Sequence, residues 1–109
     1  MKTSPVIRIS IGHFDPDNFN DIRDALKASQ ERLVRGISTM NGNRGYFVGI
    51  DRENSAMVNV SSWDSIDSAK QMDHFKPMQD LARDFIRMGV RFERPILNFE
   101  PVWMIEDRP

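Results

Sequence analysis

The chain of 109 residues has no cysteine. Disulfides, thiolate nucleophiles and cysteine-ligated zinc are excluded with it. There is no charge excess either: 15 basic and 16 acidic residues leave a formal net charge of -1. Such a balance offers no electrostatic footprint for nucleic acid or an anionic membrane. Long apolar runs are missing; the longest, Tyr46 to Ile50, already contains a glycine. No segment qualifies as a membrane-spanning helix. The first residues do not read as a signal peptide, because Arg8 and Ser10 interrupt what would have to be a continuous apolar region. The expectation is a cytoplasmic protein. Internal repeats, low-complexity tracts and linkers are also absent.

What remains is globular in composition. Hydrophobic residues make up 39% and charged residues 28%, which suits one folded domain over residues 1–109.

Periodicity supplies the elements. Ile7, Ile9 and Ile11 alternate with Arg8 and Ser10, predicting a half-buried strand from about Val6 to His13. Asp15 is placed to cap a helix with Pro16 at its first position. Phe19, Ile22, Ala25, Leu26, Leu33, Val34 and Ile37 follow at helical spacing. Lys27, Glu31 and Arg35 on the other face form i,i+4 pairs, a solvated surface rather than a binding patch. Asn41-Gly42 supplies a left-handed turn. Strands are predicted at about Arg44 to Asp51 and Ala56 to Trp63, joined by the polar turn Arg52 to Ser55 as a hairpin. Asp64 or Ser65 caps a second helix carrying Ile66, Ala69 and Met72. Pro77 breaks it. The helix restarts with Met78, Leu81, Ala82, Phe85 and Ile86 inward, and Gly89 stops it. A last strand is predicted from about Ile96 to Ile105; Pro95 and Pro101 require it to bend or lie at an edge. The order β-α-β-β-α-β is a ferredoxin-like α+β plan.

Such a sheet carries helices on one face only. Three of the predicted strands are apolar on both sides: Val58 and Val60 opposite Met57 and Trp63, Tyr46 and Val48 opposite Phe47, Leu97 and Phe99 opposite Ile96 and Val102. A monomer would leave an apolar patch larger than soluble proteins usually expose. Face-to-face packing of two sheets removes it, predicting a homodimer. A monomer with one merely mixed face is the alternative.

Few side chains suggest chemistry. His13 and Asp15 lie two apart, a spacing open to a metal or a base–orienter pair. Asp15 as a helix cap and His13 at a strand–helix junction is the plainer reading, and no ligand cluster accompanies them. His74 stands at the helix break, beside Asp73 and Lys76. The Gly42 to Gly45 stretch leads into a strand, so it reads as a turn, not a phosphate loop. Asn59 is an amide in mid-strand and must find partners if buried. Asn59, Ser61 and Trp63 share one strand face, where they line either a small-molecule pocket or plain core. Met72, Phe85 or Ile86 would wall such a pocket, with His74 near it.

The element order and the segment Val58-Asn59-Val60-Ser61-Ser62-Trp63-Asp64-Ser65, followed by a helix with Ala69, resemble the antibiotic biosynthesis monooxygenases of the dimeric α+β barrel superfamily. The likeness covers nearly the whole chain, as a pattern. It implies a homodimer whose two sheets form a barrel, with a pocket between sheet and helices in each subunit. It implies oxygenation of phenols or hydroquinones to quinones with no cofactor. Asn59 and Trp63 stand at the family's N-x-x-x-W spacing, and Arg83 matches its helix arginine. The family's helix tyrosine would fall near Ala69 and is missing. A heme-degrading branch uses a helix histidine that would fall near Gln79; His74 is a full turn too early.

Three functions compete on this reading. The first is a monooxygenase acting on an aromatic small molecule, with Asn59, Trp63 and Arg83 as catalytic residues and no flavin, heme or metal. The second is a non-catalytic ligand-binding dimer. The third is a polyketide cyclase or isomerase needing His13 or His74 as base.

Overall fold

The computed structural model describes residues 4–105. Strand β1 (Val6–His13) leads through a single 3-10 turn, Pro16–Asn18, into helix α1 (Phe19–Ser38). Strands β2 (Asn43–Asp51) and β3 (Ala56–Trp63) form the hairpin. Helix α2 (Ile66–Ala69), a 3-10 segment over Lys70–His74 and helix α3 (Lys76–Arg87) follow, then the short strands β4 (Arg91–Phe92) and β5 (Leu97–Phe99). The antiparallel sheet runs β2-β3-β1-β4, and β5 continues the β4 position along β1. This is the ferredoxin-like arrangement. No helix among the described residues is long and apolar enough to cross a membrane.

Local signals placed the boundaries. Asp15 accepts a hydrogen bond from the Asp17 amide at 2.9 Å, with Pro16 next. Of the two cap candidates before α2 it is Ser65 that accepts from the Ser68 amide. Pro77 sits in the first turn of α3, where its missing N–H costs nothing. Gly42 and Gly89 take positive φ at 78° and 94° and turn the chain out of its helices.

The core lies between sheet and helices, with Ile22, Met57 and Trp63 the most deeply buried large side chains. Two predicted core residues lie outside it. Val34 is 53% exposed and Ile86 is 58% exposed. At about 100° per residue, each stands roughly 40–60° beyond the edge of its helix's apolar stripe.

The last strand is shorter than its pattern predicts. Only Leu97–Phe99 of the expected Ile96–Ile105 is strand; β4 is an additional strand before Pro95, and residues 100–105 form no strand. Ile7 pairs with Phe99, so continued pairing would set Pro101 against Pro5. Neither proline has an N–H to give, and β1 ends there.

The faces of β1 are also reversed from the pattern's suggestion. Arg8, Ser10 and Gly12 pair with Ser61, Asn59 and Met57, the residues turned toward the helices. Ile7, Ile9 and Ile11 point to the other face, which no element among the described residues covers. Phe47, Leu97 and Phe99 belong to that same face and are exposed.

Candidate functional site

Reversal of β1 puts polar residues beneath the helices. Cross-strand register aligns Asn98 of β5, Arg8 of β1, Ser61 of β3 and Tyr46 of β2 in one row across four strands. The next row is Ser10, Asn59 and Val48. A cavity of about 60 Å³ lies over these rows, floored by Arg8, Tyr46, Asn59 and Ser61. Helices α1 and α3 and the 3-10 segment roof it with Leu26, Met72, Met78, Leu81 and Phe85, and Arg94 and Ile96 flank it from the β4–β5 connection. Its volume suits a few waters. Met57, Met72 and Met78 contribute flexible thioethers to its walls.

Hydrogen-bond donors dominate the floor. Arg8 is buried, and Nη2 reaches Asp73 Oδ1 at 2.9 Å. Tyr46 Oη is buried without a partner among the described residues. Burial holds the phenol well above its ordinary pKa, and the Arg8 charge offsets only part of that. Asn98 Oδ1, at the far end of the row, is likewise buried and unpartnered. The Asn59 side chain lines the cavity and has no hydrogen-bond partner among the described residues. Arg94 Nη1 donates to the Glu93 carbonyl at 2.8 Å and to Ser10 Oγ at 3.5 Å, with its guanidinium 4.8 Å from the Phe92 ring centroid. Desolvation, and secondarily the like charge of Arg8, lower the Arg94 pKa.

The structure brings Asn59, Met72 and Phe85 together around this cavity. Trp63 stands one row further along, completely buried, and donates Nε1–H to Ser61 Oγ at 2.8 Å. It touches the cavity only through Ser61. The remaining expected site residues lie elsewhere. Arg83 projects from the opposite side of α3 and pairs with Asp80 at 3.6 Å. Ile86 is turned to solvent. His74 is exposed at the helix break and is not among the lining residues. His13 meets Glu93 Oε2 at 2.6 Å on the face away from the helices, and Asp15 is spent on its cap.

Arg8, Tyr46 and Arg94 went unnoticed in the sequence. Arg8 and Tyr46 each look like one half of an ordinary strand alternation. The sequence carries no local signal for Arg8, because an arginine alternating with isoleucines reads equally as the solvent side of a half-buried strand; its pairing with Ser61 places it beneath the helices. Tyr46, the chain's single tyrosine, lines the cavity from β2, not from the helix near Ala69.

No family model and no curated protein matches the chain. Solved structures do. A protein from Deinococcus radiodurans assigned as an antibiotic biosynthesis monooxygenase superposes with a TM-score of 0.70 at 13% identity, covering 95% of this chain and 99% of its own. One from Chloroflexus aurantiacus with the same assignment has 27% identity and a TM-score of 0.59, covering 94% and 98%. An asparagine-to-alanine mutant of SnoaB, a cofactor-independent oxygenase from Streptomyces nogalater, has 12% identity and a TM-score of 0.64, covering 96% and 100%. The resemblance carried by the sequence is thus borne out in the fold: the chain is similar, nearly end to end, to proteins with that assignment.

Proposed function

We propose that the protein is a cofactor-independent monooxygenase of phenolic or hydroquinone-type aromatics, acting in the cytoplasm as a homodimer. One observation carries this reading: a cavity with apolar walls whose floor offers unpartnered donors from Asn59 and Tyr46 beside the Arg8 guanidinium. Donors and a positive charge favour the ionised form of a phenol. An electron-rich phenolate passes an electron to O2 directly. One oxygen atom then ends on a ring carbon that bears hydrogen, the one opposite the phenolic oxygen in a simple phenol. The other leaves as water with the hydrogens of the O–H and that C–H bond. The substrate supplies every electron, so phenol and O2 balance against quinone and water. The protein's part is to exclude water, orient the ring and stabilise the anion.

Of the side chains the resemblance implied, Asn59 keeps a direct role. Trp63 becomes a positioning residue that orients Ser61. The cyclase or isomerase reading loses its bases, since neither His13 nor His74 lines the cavity.

Oxygen uptake by the purified protein on a panel of phenols and anthrones tests the proposal. Asn59→Ala should slow turnover on a true substrate about a hundredfold, the cost of losing one anion-stabilising donor at roughly 3 kcal/mol. Unchanged uptake in that variant removes Asn59 from the chemistry. Aromatic binding without uptake for any phenol makes the protein a ligand-binding module instead.

A further inference from the structure

We infer that the ligand of this cavity carries a second anionic group, a carboxylate, held by Arg8 and Arg94. The inference rests on reading the cavity as the substrate site, and it narrows the substrate to hydroxylated aromatic acids. Two guanidinium groups line the cavity, and no lining residue is Asp or Glu. Asp73 answers Arg8 from outside, through one nitrogen, with its own side chain half exposed. Arg94 has no carboxylate partner among the described residues; Nη1 spends itself on the Glu93 carbonyl and, more distantly, Ser10 Oγ. The nearest acid in sequence, Glu93, pairs with His13 on the opposite face of the sheet. The site therefore keeps one positive charge in excess.

Its neutral groups lean the same way. Tyr46 Oη is buried and unpartnered. Ser61 Oγ accepts from Trp63, which leaves its own O–H free to donate. Charged donors next to apolar walls are costly unless an acceptor meets them. Ligand acceptors satisfy these donors, and a carboxylate does so with the planar fork geometry that suits a guanidinium. Arg8 is buried and Arg94 is exposed, so Arg94 marks the solvent side and meets the ligand first.

Para-hydroxybenzoate and its neutral near-isostere para-hydroxybenzamide are the probes, titrated into the intact protein near neutral pH and followed by amide chemical shifts. The acid should bind roughly tenfold more tightly than the amide, as expected for a charge-assisted pair, with the largest shifts at Tyr46, Asn59 and Arg94. Arg94→Gln should bring the ratio to about one, and Arg94→Lys should retain part of it. Equal affinities, an unchanged ratio in Arg94→Gln, or no saturable binding of the acid overturns the inference. The assay involves no oxygen chemistry. Preference for the acid without oxygen uptake sinks the proposed reaction alone, whereas uptake on neutral phenols without that preference sinks the carboxylate alone.

Discussion

Trp63 and Ser61, two positions apart on β3, are joined by a hydrogen bond from the indole Nε1 to the hydroxyl oxygen at 2.8 Å. Residues i and i+2 share a strand face, so the bond lies along that face, beneath the helices. It satisfies a polar atom on the most deeply buried aromatic in the chain. It also fixes the rotor of Ser61, whose proton is then turned away from Trp63.

Ser61→Ala is consequently not a mild substitution. It leaves a fully buried indole N–H without an acceptor, a loss of about 1–3 kcal/mol. Urea unfolding should show that drop in midpoint at unchanged slope. Stability equal to the parent would mean the indole finds another acceptor.

A second close approach concerns Gly36 of α1 and the Phe75 ring at the entrance to α3. A Cβ at position 36 would lie 2.5 Å from two ring carbons. Alanine there improves helix propensity by about 1 kcal/mol, but the clash forces the ring out of place, at about 1–3 kcal/mol. Gly36→Ala should therefore be neutral to destabilising, never stabilising, in thermal unfolding. In a Phe75→Leu background, where the ring is gone, the same change should stabilise. Such a reversal of sign is the signature of direct contact.

Most of the fold was legible because the signals that set it are local. Asp15-Pro16, Ser65, Pro77, Gly42 and Gly89 mark helix ends through backbone chemistry that acts within one turn, and each does so in the structure. The site was legible only in part. Asn59 announced itself as a lone amide in an apolar strand. Arg8 did not, since alternation shows which residues share a face but not which face meets the helices. Only the pairing of β1 with β3, a contact between distant segments, decides that. Arg83 illustrates a motif match overruled by geometry: about 140° of helical rotation separates it from the inward stripe near Met78. The length of the final strand was overestimated because apolar alternation continues past the point where β1 can supply a neighbour.

Tyr46 gives a direct reading of the cavity's polarity. Burial raises its pKa above the ordinary value near 10, the Arg8 charge only partly opposing. Between the unfolded value and the raised native one, only the unfolded chain loses the phenolic proton. The stability held by the neutral phenol is thus intact below about pH 10 and declines as pH rises from there toward the native pKa. With a single tyrosine in the chain, ultraviolet absorbance reports it unambiguously. The folded protein should show no tyrosinate at pH values where a denatured sample is already half ionised. Coincident curves would mean the cavity is wetter than the buried hydroxyl implies.

The uncovered sheet face carries the remaining prediction. Ile7, Ile9 and Ile11 of β1, Val58 and Val60 of β3, and Phe47, Leu97 and Phe99 all point away from the helices. Phe47 is 63% exposed and Phe99 47%, and beyond them Val102, Trp103 and Ile105 lie open as well. The polar residues of β1 and β3 meanwhile face the helices, an inversion that makes sense if the outer face is itself a core. A second copy of the chain packed sheet to sheet supplies that core. Sedimentation equilibrium at micromolar concentration should give twice the chain mass of 12.6 kDa. Ile9→Lys places a charge at the centre of the proposed interface and leaves the cavity floor on the other face untouched. It should yield monomer with a folded far-ultraviolet dichroism spectrum, or, if the monomer cannot stand alone, a midpoint of unfolding that no longer rises with protein concentration as the parent's does. A parent protein that sediments as a monomer would leave the apolar face uncovered and end the barrel model.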